Sequence, residues 1–142
     1  MKQTIIHDYF FAHPIETVWE FFINAELMGQ WLMKNDFLPV VGHEFTFKTG
    51  GKPNLNFDGV FYCKVLEIVP FKKLSYTWNC GPGKGDIDLT SVVVWQLEAK
   101  DNGTHVHLEH SGFEQPQNFD MYKGLNHGWV EKFQNIEKLL KA

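Results

Sequence analysis

The sequence predicts an α+β fold: a curved antiparallel sheet of six strands around a long C-terminal helix, with two short helices after the first strand. Three observations carry this. Tyr122, Leu125, Trp129, Phe133, Ile136 and Leu140 step by three, four, four, three and four residues, which sets them on one stripe of a helix. Running from about residue 118 to the C-terminus, that helix is roughly 35 Å long at about 1.5 Å per residue, and a broad, curved sheet is the partner that covers it. Five period-two runs separated by short turn signals precede the helix and supply an antiparallel meander. Aromatic residues make up 15% of the chain, with 13 Phe, so the interior is either a dense core of rings or a ring-lined pocket.

Gln3 to Phe11, rich in Ile, Tyr and Phe, reads as the first strand and ends at His13-Pro14. A helix follows. Pro14 suits its first position, Glu16 stands three residues after a cap at His13, and Val18, Trp19, Phe22 and Ile23 form its apolar face. Asn24 then caps a second short helix through Trp31. After a break at Gly42, strands are expected at Glu44 to Thr49, Phe57 to Val69, Leu74 to Asn79, Asp88 to Ala99 and Thr104 to Gly112. Turn signals at Gly50-Gly51-Lys52-Pro53-Asn54, Pro70, Gly81-Pro82-Gly83 and Asp101-Asn102-Gly103 separate them. No repeat, low-complexity tract or linker interrupts this order, and the 142 residues are expected to form one domain.

The formal net charge is −4, and all 13 basic residues are Lys, with no Arg. Nucleic acid is therefore not an expected partner, because neither a basic stripe nor a guanidinium fork is present. His7 and Asp8 interrupt the apolar run begun by Ile5-Ile6, which is not the pattern of a signal peptide. Apolar runs such as Val92-Val93-Val94-Trp95 fall far short of the roughly 20 residues that span a bilayer, so no membrane association is expected. Cys63 and Cys80 are expected as free thiols of a cytoplasmic protein, a disulfide between them being the alternative. The run Cys80-Gly81-Pro82-Gly83-Lys84-Gly85-Asp86 is no phosphate loop. Gly85 stands where Ser or Thr would bind magnesium, and strands flank it on both sides. It reads as a hairpin loop that, with Gly50 to Asn56, rims a cavity mouth.

The element order, together with Pro14-Ile15-Glu16-Thr17-Val18-Trp19, Gly59 followed by Val69-Pro70, Leu74-Ser75-Tyr76-Thr77-Trp78, Gly103-Thr104, His110-Ser111-Gly112-Phe113 and Gly128-Trp129, resembles the START-like (SRPBCC) superfamily. Within it, the chain is most similar to the activator-of-Hsp90-ATPase homologue-like family. The resemblance spans nearly the whole chain and implies a helix-grip (START-like, Bet v 1-like) fold. It also implies a hydrophobic cavity between sheet and helix that binds a small apolar molecule such as a lipid or polyketide. Two further roles come with it: an Hsp90-type chaperone interaction and ATPase activation linked to the stress response, or a cyclase or aromatase acting on a bound polyketide. In the eukaryotic activator this domain type occurs with an additional N-terminal domain, and the two contact the chaperone together. No cofactor is implied, and a monomer or homodimer is expected.

Alternation assigns the faces. Val106, Leu108 and His110 share one side of their strand, Val93, Trp95 and Leu97 one side of theirs, and Leu74, Tyr76 and Trp78 another, with Phe45 and Phe47 as a fourth wall. The candidate ligand-binding residues are accordingly Trp31, Phe45, Phe47, Tyr76, Trp78, Trp95, Leu108, His110, Tyr122, Leu125, Trp129 and Phe133, and simple core packing is the alternative for each. His110 is a polar ring on an apolar face and requires a partner. It either orients a ligand oxygen or acts as a general acid or base near neutral pH, or it is bonded to a backbone carbonyl or to Tyr76. His105, His107 and Glu109 alternate onto the opposite face. They fit a solvated sheet side better than a zinc site, since no fourth ligand accompanies them. No nucleophile elbow, triad or paired-carboxylate motif is present, so no catalytic residue is assigned. On the cyclase reading, His110, Tyr76 and Tyr122 would move protons on the bound ligand.

Overall fold

The computed structural model describes residues 3–49 and 57–141. The turn at Gly50-Gly51-Lys52-Pro53-Asn54 and the Gly50 to Asn56 part of the rim lie outside the described residues. In chain order the elements are β1 (Gln3–Phe11), α1 (Ile15–Ile23), α2 (Ala25–Trp31), β2 (Lys34–Asn35), β3 (Glu44–Lys48), β4 (Val60–Val69), β5 (Lys73–Cys80), β6 (Leu89–Lys100) and β7 (Gly103–Phe113). A 3-10 turn over Pro116–Asn118 then leads into α3 (Phe119–Leu140).

The strands form one curved sheet in the order β1-β7-β6-β5-β4-β3-β2, with every neighbouring pair antiparallel. Seven strands replace the six expected. The addition is β2, two residues that pair with Lys48 and Phe47 and are too short to show any alternation. A second correction concerns the start of α1. Pro14 is its cap rather than its first helical residue; its carbonyl accepts from the amides of Thr17 and Val18, and no side chain caps the turn. The His13 carbonyl instead accepts from Thr104 Oγ1 at 2.9 Å. Asn24 caps α2 as expected, its Oδ1 accepting from the Leu27 amide at 3.1 Å. Strand β4 starts at Val60 rather than Phe57, because Asp58 accepts from the Val60 amide and Gly59 takes a positive φ of 93°.

Gly112 near the end of β7 holds a φ of 121°, and a Cβ there would lie 2.5 Å from the Thr90 carbonyl oxygen. Only glycine lets β7 approach β6 so closely at that point. The Cys80–Asp86 segment is the hairpin loop between β5 and β6, with Gly83, Lys84 and Gly85 all at positive φ. On the convex face, His107 Nδ1 donates to Asp8 Oδ1 at 2.7 Å and His105 Nε2 lies 2.9 Å from the same oxygen. The bond from His107 holds the Asp8 carboxyl below its usual range, and the same bond raises His107. Among the described residues, no group of three or more His, Cys, Asp or Glu side chains is arranged to hold a metal ion. No described helix is long and apolar enough to cross a membrane.

Helix α3 lies in the concave face and buries Met121, Trp129, Phe133 and Ile136. Tyr9 of β1 stacks on Phe133 with ring centroids 5.2 Å apart, and its hydroxyl donates to Glu137 at 3.3 Å. From the other side, Asn135 Nδ2 donates to the Trp31 carbonyl at 3.3 Å and ties α3 to α2.

Candidate ligand-binding site

The inward alternation of β3, β5, β6 and β7 aims Phe45, Phe47, Tyr76, Trp78, Trp95, Leu108 and His110 at α3, and all seven are buried. Trp31, Trp129 and Phe133 join them from the helices. The rings interlock. Trp78 stands 5.2 Å from Phe47, 4.4 Å from Phe61 and 5.3 Å from Trp129, while Trp95 meets Trp129 at 5.4 Å and Phe133 at 5.8 Å. These near-perpendicular and tilted contacts are favourable for aromatic quadrupoles and close most of the grip by packing. Leu125 is half-buried at the edge of this cluster. Tyr122 stands apart from it, against Phe113 at 5.4 Å and Phe119 at 6.3 Å.

The polar atoms inside the cluster form a directed chain. Trp129 Nε1 can only donate, and it does so to His110 Nδ1 at 3.1 Å. His110 therefore carries its proton on Nε2, which donates to Ser91 Oγ at 2.9 Å, and the Ser91 hydroxyl donates to the Trp78 carbonyl. Among the described residues the His110 ring is bonded to Ser91 and Trp129, rather than to a backbone carbonyl or Tyr76, the partners that the packing alternative expected. Burial pushes the His110 pKa down to about 3, so the ring is neutral at physiological pH. Tyr76 accepts from Trp95 Nε1 at 2.9 Å, and burial raises its phenol far above the usual value. Cys63 and Cys80 are free and buried. Burial raises both thiols, Cys80 to about 12. Near neutral pH these groups offer fixed dipoles and ring faces rather than a proton to exchange.

Among the described residues, one buried side-chain polar atom breaks this accounting: Trp78 Nε1 has no hydrogen-bond partner. Trp78 also lines a small apolar cleft of about 50 Å³, with Leu32, Met33, Leu125, Gly128, Trp129 and Lys132. A larger pocket of about 290 Å³ lies at the start of α3, walled by Phe113, Pro116, Phe119 and Tyr122, with Gln3, Glu114 and Gln115 at its edge. Ser91, Leu32, Met33, Lys132 and Phe113 are site residues that the sequence reading missed. Ser91 was within reach, since it stands two residues before Val93 on the same inward set and opposite Trp78 in register. Leu32 and Met33 follow a helix end, where no period assigns a direction.

The pattern of activator of Hsp90 ATPase homolog 1-like proteins matches residues 12–141. Protein MLL2253 from Mesorhizobium loti is 38% identical, with 98% of this chain and 97% of that one superposed at a TM-score of 0.86. Protein BH1534 from Bacillus halodurans is 25% identical, covering 97% and 98% at a TM-score of 0.77. The Aha1 dimer from Colwellia psychrerythraea shares the fold at 19% identity, covering 95% and 93% at a TM-score of 0.73. None of the curated proteins matches the chain. With the family pattern running through α1, the whole meander and α3, the chain belongs to the activator of Hsp90 ATPase homolog 1-like family of the START-like superfamily.

Proposed function

We propose that this protein, as a single cytoplasmic domain, binds a small apolar or aromatic molecule between its sheet and the N-terminal half of α3. The observation that carries this reading is the incomplete closure of α3. Trp129, Phe133 and Ile136 are buried, but Tyr122 and Leu125 on the same stripe are half-buried and border open apolar volume on either flank. The outer pocket approaches the lower end of the roughly 300–1,000 Å³ found for small-molecule sites, and the inner cleft admits a ring or a branched end rather than a whole lipid. Neutral His110 and Tyr76 leave the interior uncharged, which favours an apolar guest.

Native mass spectrometry and a thermal-shift screen of fatty acids, sterols, flavonoids and polyketide aromatics test it. A bound mass, or stabilisation by one chemical class that grows with ligand concentration, is the expected result. Silence across all classes would overturn it and favour a second reading, contact with an Hsp90-type chaperone. That reading is supported by the family and by exposed Leu38, Val40 and Val41, which the Gly42 amide bond to the Val65 carbonyl holds beside β4 and its exposed Leu66. Binding to the chaperone at micromolar concentration, with a change in its ATPase rate, would establish the second reading.

A further inference from the structure

We propose that β1 pairs with the β1 strand of a second copy of this chain, joining two sheets edge to edge about a two-fold axis close to Asp8. Strand β1 ends the sheet, and among the described residues nothing pairs with its outer edge along the nine residues Gln3–Phe11. Proteins ordinarily guard such an edge with short length, lysine, proline or a bulge. The far edge is guarded in this way, since β2 is two residues long and carries Lys34. Strand β1 is long, holds neither lysine nor proline, and departs from regular pairing only at its end, between Gln3 and Thr4. Its one carboxylate, Asp8, is tied sideways along the convex face to His105 and His107. On either side of Asp8 on that face stand Ile6 and Phe10, 54% and 44% exposed.

Symmetry and charge select the partner. A strand laid antiparallel to its own copy presents the same groups on both sides, so the edge is complementary to itself. With the axis at Asp8, Ile6 falls opposite the partner's Phe10 and Phe10 opposite the partner's Ile6, a favourable β-branched and aromatic pairing. Asp8 faces the partner's Asp8, and each carboxylate is bonded to two imidazoles of its own chain, which lessens their repulsion. Helix α3 runs alongside β1: His7 Nε2 donates to the Asn126 carbonyl at 3.0 Å, and the Tyr9 hydroxyl donates to Glu137. Val130 lies between these two contacts on the same flank, level with Asp8, and is 42% exposed. Lys123 and Glu137 stand about two turns before and after Val130, and so share that flank. The same two-fold therefore turns Val130 toward the partner's Val130 and Lys123 toward the partner's Glu137. An unrelated strand would satisfy the edge but not this matched charge pattern.

Sedimentation velocity from micromolar to submillimolar protein tests the proposal. A strand edge and a helix flank make a small interface, so a reversible dimer with a micromolar dissociation constant is expected. Ile6→Lys and Val130→Glu, both at exposed positions, should each weaken it about tenfold while the urea unfolding midpoint of the dilute protein stays the same. Lys123→Glu and Glu137→Lys should each weaken it about fivefold, and the double variant should restore it, because the exchanged charges meet again across the axis. In hydrogen exchange, the β1 amides that face away from β7 should slow as the protein is concentrated. A monomer throughout the concentration range overturns the proposal. So does a dimer indifferent to Ile6→Lys, whose interface lies elsewhere, or a double charge exchange that restores nothing.

Discussion

The two halves of α3 carry one continuous stripe and meet the sheet differently. From Trp129 to Ile136 the stripe is sealed, with Tyr9 stacked on Phe133 and Asn135 fastened to α2. From Phe119 to Gly128 it is half-open, Phe119 exposed, Tyr122 and Leu125 half-buried, and two glycines at 124 and 128 leave space where side chains would stand. Helical period is the same in both halves, so it cannot be the cause. The difference lies in side-chain volume and in what faces it. Bulky residues meet bulky residues in the closed half, and glycine meets a cleft in the open one. On the proposed binding reading, stability and recognition fall to different turns of one helix.

The largest effects should come from the closed half. Trp129→Ala is expected to cost about 3–5 kcal/mol in urea unfolding, through lost ring contacts and an orphaned His110 Nδ1, against about 1–2 kcal/mol for Leu125→Ala. Equal losses would break the distinction. Next in size is the effect of pH, which acts through His110. An unfolded His titrates near 6.5 and the folded one near 3, so between these values the unfolded chain takes up a proton that the folded chain refuses. The contribution of His110 to stability is therefore complete above about pH 6.5 and declines as pH falls towards 3, by up to roughly 1.4 kcal/mol per pH unit. His107 is raised and acts in the opposite sense, so the informative quantity is the difference in slope between the wild-type protein and His110→Gln, measured by urea unfolding from pH 7 to pH 5. Parallel slopes would show that the ring is not held neutral.

The smallest effect sharpens the comparison most. Gly128→Ala should stabilise the protein by about 0.5–1 kcal/mol, because the new methyl meets no atom and glycine is a poor helix former. It should also weaken ligand binding, since the methyl narrows the cleft mouth. Gly124→Ala should give the same gain with ligand affinity unchanged, because Gly124 does not border the cleft. If Gly128→Ala strengthened binding, the open half would not be the site.

Much of this architecture could be read from period and punctuation. Strand β1 has the expected ends, Asn24 caps α2, and the inward sets on β5, β6 and β7 are those that alternation assigns. The departures occur where local pattern is silent. Two residues of β2 are too few to alternate, and the cap of α1 was assigned to a side chain where a proline carbonyl serves. At the site, strand alternation and helical period together brought ten of the twelve candidates into the buried core but could not separate core from wall. Tyr122 shares the stripe with Trp129 and yet lies against Phe113 and Phe119, one flank away from the indoles. His110 was recognisable as a polar group needing partners, but their identity depended on Ser91 and Trp129, each 19 residues away in the chain.

Direction is a local property. A side chain's face follows from strand or helix geometry one residue at a time, so the pattern of apolar positions was enough to establish the grip, its element order and the inward set. Closure is not local. Whether thirteen Phe and five Trp fill a grip or line an opening depends on how rings from distant strands interdigitate. The partner of every buried donor is settled by the same assembly. That is why Trp78, indistinguishable from its neighbours as a letter in an alternating run, emerges among the described residues as an indole buried without a hydrogen-bond partner.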